Sequence, residues 1–159
     1  MQCRRPDDIY GFGRVDLLVA FQWLATAPTA TPTPPPTPTA TPTRAPATTL
    51  HSADLDRSSV MAGTKWNGTV TILVHDNYHQ PVAGATVYGK WTNGATGNVS
   101  CVTYSSGVCS ITKTGLKTSV PSITFTLTNV TRSGLTYQAS GNHDPDGESN
   151  GTTILILKP

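Results

Sequence analysis

The stretch that decides the fold is residues 69–74, TVTILV, in which Val70, Ile72 and Val74 alternate with side chains that are mostly threonine. Residues 123–128, ITFTLT, repeat the pattern, with apolar residues on one side and threonines on the other. Because successive side chains of a β-strand point to opposite faces, a period of two indicates a strand with one buried face. Both stretches are therefore predicted to be half-buried strands.

Further strands and turns surround these two. A third strand places Ala85, Val87, Gly89 and Trp91 on one side, and we expect Trp91 to be the central aromatic residue of the core. Turns are predicted between the strands at Asp76-Asn77, Asn93-Gly94, Ser106-Gly107, Ser133-Gly134 and Asp146-Gly147. About seven short strands at this spacing predict an all-β fold, an immunoglobulin-like Greek-key sandwich over residues 50–159.

A Thr/Pro-rich linker precedes the predicted sandwich. Eight of the 13 prolines fall within residues 26–49, which otherwise consist almost wholly of Thr and Ala. This composition has no large aliphatic side chains to bury, and its Thr-Pro repeats favour extended polyproline II. We therefore expect a disordered linker over residues 26–49 that acts as a spacer.

Residues 1–25 make up a third region, in which residues 15–25 predict a short helix that is apolar on nearly all sides. The region resembles the C-terminal end of subtilisin-like serine peptidase domains, where a Tyr-Gly-x-Gly-x-Val-Asp-Ala signature opens the last helix. The matching residues are Tyr10, Gly11, Gly13, Val15, Asp16 and Ala20. The chain departs from the signature at Leu17, where the family usually has Ala.

The resemblance implies that residues 1–25 are a remnant of a subtilase-like domain whose catalytic Asp, His and Ser would lie upstream. The Gly-Thr-Ser segment that carries the family's nucleophile does not occur in this sequence. We therefore expect no enzymatic activity from this truncated chain, and its parent protein to be a serine endopeptidase. The chain would then be a non-catalytic accessory module with a spacing, stabilising or substrate-docking role.

The alternative is a stand-alone secreted surface or carbohydrate-binding protein with an N-terminal signal peptide. Arg4 and Arg5 precede the apolar stretch, and residues 25–27, ATA, look like a small-x-small cleavage site. Asp7, Asp8 and the other polar residues of the region argue against this alternative. Both interpretations place the sandwich in an extracytoplasmic location, secreted or at the cell surface.

A second resemblance concerns the sandwich itself. Residues 79–87, HQPVAGATV, are similar to the Pro-Val-x-Gly-Ala-x-Val signature of bacterial immunoglobulin-like repeats. Residues 106–111 are similar to the second hairpin of those repeats. Such modules are frequent appendages of secreted bacterial peptidases, so this resemblance also implies an origin in bacteria.

Composition limits the partners. Only 13% of the residues are charged and the formal net charge is +2, which does not suggest nucleic acid as a partner. No apolar run reaches the roughly 18 residues that a membrane-spanning helix needs. We expect a monomer whose partner is the catalytic domain of a parent peptidase or a protein or glycan surface.

Two of the three cysteines are predicted to form a disulfide. Cys101 and Cys109 flank a turn at residues 105–107, so their sulfurs could face one another across adjacent strands. Closing so short a loop would stabilise the fold by roughly 2 to 3 kcal/mol in the chain-entropy model. Cys3 is then left over, and it lacks the neighbouring His or Cys residues of a zinc site.

A possible calcium site follows from residues 142–150, NHDPDGESN, where oxygen-bearing side chains recur around a glycine. An EF-hand is excluded because its twelfth position would be Thr153 and not Glu. If the first strand pairs in parallel with the last, however, the acidic residues of both meet at one end of the sandwich. The candidate ligands are Asp54, Asp56, Asn142, Asp144 and Asp146. A solvated turn without an ion is the alternative.

The remaining candidates are aromatic residues and histidines. Trp66, Tyr78, Tyr88 and Tyr104 could stack on sugars, with Tyr88 the one best placed to face solvent. The histidines are His51, His75, His79 and His143. Because only His75 and His79 are close in sequence, we expect separate, solvated or strand-edge histidines and no metal site.

Overall fold

The computed structural model describes residues 44–159, which form one compact unit. The expected helix of residues 15–25 and most of the predicted linker lie outside the described residues. The strands are β1 (Thr49–Ala62), β2 (Lys65–Asp76), β3 (Thr86–Thr92), β4 (Gly97–Val102), β5 (Val108–Lys117), β6 (Ser122–Thr131), β7 (Thr136–Tyr137) and β8 (Thr153–Leu157). A short 3₁₀ turn, Ala139–Gly141, follows β7.

The strands form two four-stranded sheets. One sheet has the order β5-β2-β1-β7 and the other the order β4-β3-β6-β8. Every pair is antiparallel except the short parallel pair of β1 with β7. This arrangement confirms the predicted all-β, immunoglobulin-like Greek-key sandwich. Within residues 44–159, no helix has the length and apolar character required to cross a membrane.

The core lies between the sheets and is built from the predicted alternation. Val70, Ile72 and Val74 of β2 are fully buried, as is Phe125 of β6. Trp91 packs edge-on against Phe125, with ring centroids 5.3 Å apart, which places it in the core as expected. The inner faces of the two sheets therefore share one apolar interior.

Trp66 is also part of this core, contrary to its proposed role in sugar stacking. Its side chain is fully buried, and its indole N–H donates to the backbone carbonyls of Lys117 and Val120 at 3.2 and 3.1 Å. An indole can be buried at low cost when its N–H finds such an acceptor. Trp66 therefore closes one end of the sandwich and is not available to a ligand.

The disulfide between Cys101 and Cys109 is present, but it joins different strands from those expected. Cys101 lies on β4, which pairs with β3, whereas Cys109 lies on β5, which pairs with β2. The connection through residues 103–107 thus crosses from one sheet to the other. The prediction of sulfurs facing each other within one hairpin was wrong, and the disulfide links the two sheets.

The last residues before β1 also contact the sandwich. The backbone N–H of Thr48 donates to Asn77 Oδ1 at 3.0 Å, and the Thr48 carbonyl accepts from the backbone N–H of Thr136 at 2.9 Å. The guanidinium carbon of Arg44 lies 3.2 Å from the ring centroid of Tyr78. Residues 44–48 thus pack as part of the sandwich domain.

A β-bulge in β1 determines which side chains face outward near its start. Ser52 pairs with Val74 and Asp54 with Leu73, so Ala53 is an extra residue in the strand. If side chains alternated strictly between the two faces of β1, His51 would point into the core, as the buried Leu55 does. The bulge reverses the alternation, so that Leu50 is buried in the core and His51 and Asp54 lie on the outer face.

Candidate functional site

The outer edge of β1 is covered by the loop that follows β7. The backbone N–H of Gln138 donates to the Leu50 carbonyl at 2.9 Å, and that of His143 donates to the Ser52 carbonyl at 3.1 Å. In return, the backbone N–H of Ser52 donates to Asn142 Oδ1 at 2.9 Å. These bonds hold the loop beside the first half of β1, where polar side chains from both segments meet.

Two side-chain clusters form along this edge, and we name them here. The acidic cluster consists of Asp54, Asp56, Asp144, Asp146 and Glu148. The histidine cluster consists of His51, His75, His79 and His143. Each cluster combines residues of β1 with residues of the covering loop.

The acidic cluster brings together the carboxylates that the sequence analysis selected. Carboxylate oxygens of Asp54, Asp144 and Asp146 lie within 4.8 Å of one another, as do those of Asp56, Asp146 and Glu148. We expected these residues to meet through a parallel pairing of the first strand with the last, but β1 pairs in parallel with β7 and not with β8. The loop after β7 carries the carboxylates back to β1.

The side chain of Asn142, the fifth candidate ligand, forms hydrogen bonds that hold the covering loop in place. Its Oδ1 accepts the Ser52 N–H, while its Nδ2 donates to the hydroxyls of Tyr137 and Thr152 at 2.8 and 2.9 Å. The whole amide is therefore engaged within the fold. Asn142 thus positions the acidic cluster, although a second lone pair on its Oδ1 could still bind a cation.

Burial, hydrogen bonds and neighbouring charges shift the pKa values of three carboxyl groups in the acidic cluster. Burial, and then the neighbouring carboxylates, raise the pKa of Asp54 above its usual range. A hydrogen bond to Asp144 raises the pKa of Asp146. Although burial opposes its ionisation, hydrogen bonds from Ser149 and Asp146 hold the pKa of Asp144 below its usual range. The interaction between these two carboxyl groups therefore favours a proton on Asp146 over one on Asp144.

Part of the cluster's charge is compensated by the fold. The backbone N–H of Gly147 donates to Asp144 Oδ1 at 2.9 Å, and that of Glu148 donates to Asp146 Oδ1 at 3.2 Å. Glu148 also lies 3.8 Å from the guanidinium of Arg57. Two carboxylate oxygens, Asp54 Oδ1 and Asp144 Oδ2, are buried without a hydrogen-bond partner in residues 44–159. A cation could bind to these oxygens and their neighbours.

The histidine cluster gathers every histidine of the chain. The ring centroid of His51 lies 5.1 Å from that of His143, 5.5 Å from that of His79 and 6.4 Å from that of His75. One ring nitrogen from each of His51, His79 and His143 lies within 4.8 Å of the other two. The expectation of four separate histidines was therefore wrong.

Three segments bring these rings together. His51 and His75 are directly paired across β1 and β2, a register that depends on the bulge at Ala53. His79 lies in the turn after β2, and His143 lies on the covering loop. Sequence reasoning missed the cluster because only the pairing of β1 with β2 and the path of the loop bring the segments together.

Several ring nitrogens of the cluster have no partner. The side chain of His51 is only 7% exposed, and its Nε2 and the buried Nδ1 of His75 find no hydrogen-bond partner in the described part of the chain. Burial, and then the neighbouring histidines, lower the pKa of both side chains. Both rings are therefore neutral near pH 7, each with a lone pair available on one nitrogen.

The aromatic candidates for sugar binding are separated. Tyr88 is 42% exposed on β3, Tyr104 is 74% exposed on the connection between the sheets, and Tyr78 lies beneath Arg44. The prediction that Tyr88 faces solvent is confirmed, although Tyr104 is more exposed. These rings belong to different elements and do not build a shared stacking platform.

Comparisons with known proteins provide no further guide to function. No family model matches the chain, and neither the curated proteins nor the solved structures include a significant match. A functional interpretation therefore rests on the residues and their geometry.

Proposed function

We propose that this chain is a non-catalytic accessory module of a secreted subtilisin-like serine peptidase of bacterial origin. The observation that carries the proposal is a sandwich whose two sheets are joined by a disulfide and which follows a Thr/Pro-rich segment. Disulfides persist in extracytoplasmic compartments, and Thr/Pro spacers commonly separate independently folded units. The resemblance of residues 10–20 to the end of a subtilase domain supplies the proposed parent.

The module would separate, stabilise or dock the catalytic domain. The sandwich has a continuous core and an inter-sheet disulfide, which suit a unit that must persist outside the cell. The exposed tyrosines offer contact points for a protein or glycan surface. These roles require no reaction from the chain itself.

The experiment examines the secreted form in its native host. An antibody raised against residues 44–159 is used to isolate the protein from culture medium, followed by N-terminal sequencing and labelling with a fluorophosphonate probe for serine hydrolases. We expect a longer polypeptide that the probe labels, while the purified 159-residue chain stays unlabelled and does not hydrolyse casein. An unlabelled product that begins just after Ala27 would overturn the proposal in favour of a stand-alone surface protein.

The acidic cluster favours a second candidate function, calcium binding. Its carboxylates form two groups of three that share Asp146, each within 4.8 Å, and burial and neighbouring carboxylates raise the pKa of Asp54. Ca²⁺ prefers several carboxylate and carbonyl oxygens, and an ion here would relieve the repulsion. Calcium would thereby tie β1 to the covering loop.

Thermal unfolding tests this candidate. We expect the midpoint of the purified chain to rise with Ca²⁺ and to return with a chelator, and Asp54→Asn to abolish the shift. Lys90→Gln, a change at an exposed position of β3, is the control and should keep the shift. An unchanged midpoint in Ca²⁺ would remove calcium binding from the account.

A further inference from the structure

The histidine cluster has the composition of a metal site and differs from its surroundings. All four histidines of the sequence, His51, His75, His79 and His143, lie in one place although the chain offers 116 described positions for them (residues 44–159). Neutral imidazoles are the usual nitrogen ligands of zinc, copper and nickel ions in proteins. The acidic cluster, in contrast, supplies only oxygens.

The spacing of the ring nitrogens suits a single ion. One nitrogen each from His51, His79 and His143 lies within 4.8 Å of the others. Imidazole nitrogens bind zinc at about 2.0 to 2.1 Å, so two ligands on one ion are at most about 4 Å apart. Small side-chain rotations would close the remaining gap.

A buried nitrogen points to a missing partner. His51 is more than nine-tenths buried, and its Nε2 makes no hydrogen bond within residues 44–159. The buried Nδ1 of His75, directly opposite, also finds no acceptor or donor among these residues. Buried polar groups without partners are costly, and a bound cation would satisfy them.

Two features orient the outer histidines. His143 Nδ1 lies 3.0 Å from the Gly141 carbonyl, which fixes that nitrogen as the N–H and leaves Nε2 as the acceptor, the pattern common for metal-bound histidines. His79 has a left-handed backbone, with φ of 57°. Asp76 holds this turn, because its Oδ1 accepts the backbone N–H groups of Tyr78 and Gln80 at 2.8 and 2.9 Å.

Glycine most often adopts the left-handed backbone seen at His79, and His, with Asn and Asp, is among the other residues that adopt it most readily. The turn places the ring centroid of His79 5.5 Å from that of His51 and 5.6 Å from that of His143. His79 is also the exposed member of the cluster, so an ion could enter from solvent on its side.

We propose that His51, His79 and His143, with His75 beside them, bind one late first-row transition-metal ion, Zn²⁺ or Cu²⁺. The ion would join β1, the turn after β2 and the covering loop at one point. The site is separate from the acidic cluster in ligand chemistry and does not depend on the accessory role of the module.

Calorimetric titration of the full chain with ZnCl₂ or CuCl₂ is the test. We expect one ion per chain, and at least a tenfold loss of affinity in His79→Asn and in His143→Gln. Asparagine tolerates the left-handed backbone at position 79, so His79→Asn removes the imidazole without breaking the turn. Circular dichroism checks that each variant is folded.

Matched controls exclude other ligands. Asp146→Asn, a change in the acidic cluster, should retain zinc affinity, and so should Cys3→Ser, which removes the one thiol outside the Cys101–Cys109 disulfide. The Cu²⁺ complex should show nitrogen superhyperfine structure in electron paramagnetic resonance. The proposal is overturned if the folded double variant His79→Asn/His143→Gln binds zinc as tightly as the unaltered chain, or if the unaltered chain binds neither ion at 100-fold excess.

Discussion

The histidine cluster and the acidic cluster lie on the same edge of the sandwich, yet their side chains differ in charge and in burial. Neutral imidazoles pack together at His51 and His75, each with a buried nitrogen that makes no hydrogen bond within residues 44–159. The carboxylates stay nearer to water, and backbone N–H groups and Arg57 compensate part of their charge. Burial is cheap for an uncharged ring and costly for a carboxylate, so the two clusters reach different depths.

As a result, side chains that offer nitrogen ligands and side chains that offer oxygen ligands lie within a few residues of each other in the chain. His143 and Asp144 are consecutive, but one contributes to a nitrogen cluster and the other to an oxygen cluster. Nitrogen ligands suit zinc and copper, whereas oxygen ligands suit calcium. If both proposed sites bind ions, the edge of the sandwich would distinguish between zinc or copper and calcium.

The largest expected effect comes from a change that disturbs both clusters together. Gly151 has φ of 74°, and an added Cβ would lie 2.5 Å from the backbone nitrogen of His143. Gly151→Ala should therefore destabilise the chain by about 3 kcal/mol, combining left-handed strain with a backbone clash. Urea denaturation measures the loss, and both ion responses should disappear.

Gly134→Ala is the matched control for this substitution. Gly134 has a similar φ of 79°, but an added Cβ there would meet nothing within 4 Å. It should cost only about 1 to 2 kcal/mol and leave both ion responses intact. Equal losses in the two variants would show that the packing against His143 does not hold the edge together.

A smaller effect should separate the clusters by ligand. Zinc at 100 times its dissociation constant should stabilise the chain by about 2.7 kcal/mol, and His79→Asn should remove that gain. Calcium stabilisation should survive His79→Asn and vanish in Asp54→Asn. Thermal melts of the two variants with each ion measure both responses. Loss of both responses in either variant would mean that the clusters form one mixed site.

Cluster composition also predicts opposite pH dependences for the metal-free chain. Burial and neighbouring histidines lower the pKa values of His51 and His75 below the ordinary value of 6.5. The contribution of these two side chains to folding stability is therefore fully present above pH 6.5 and is lost as the pH falls through the lowered pKa values. The raised pKa of Asp54 acts in reverse: its contribution is present below pH 3.8 and lost as pH rises through the raised value.

The histidine part of this dependence can be measured by denaturation between pH 5 and 7.5. His79→Asn removes one source of repulsion from both His51 and His75. The slope of stability against pH near 6 should therefore become shallower in this variant. A steeper slope would contradict the electrostatic account of the cluster.

The smallest effect concerns the ion pair that compensates the acidic cluster. Arg57 and Glu148 are each about one-third exposed and 3.8 Å apart, so Arg57→Gln should cost only about 0.5 kcal/mol. Denaturation in low and in 0.5 M salt should show that the loss shrinks as salt rises. A salt-independent loss would instead point to the hydrogen bond from Arg57 to the Leu155 carbonyl.

Local patterns in the sequence were sufficient to predict the sandwich. The alternation around Val70 and Phe125 predicts strands and their inner faces, because burial follows the two-residue period directly. The pairing of Cys101 with Cys109 follows from their closeness in the chain, but the sheets they join do not. Whether a turn closes a hairpin or crosses between sheets depends on long-range pairing that short motifs do not specify.

The two clusters were unequally predictable for a related reason. The acidic residues are dense in sequence around Asp144, so the sequence marked this segment directly, and Asp54 joined the prediction through a pairing of β1 with the last strand that the structure does not have. The histidines are spread over 93 residues, from 51 to 143. Their meeting depends on one extra residue, Ala53, because without it His51 would point into the core. No periodicity in the sequence marks that bulge.

X-ray absorption spectroscopy of the zinc-loaded chain tests the central claim most directly, because it reports the atoms bound to the ion. The account predicts a shell of three or four nitrogens at about 2.0 to 2.1 Å with the multiple scattering of imidazole rings. A shell of oxygens alone, or a sulfur at about 2.3 Å, would contradict the histidine site.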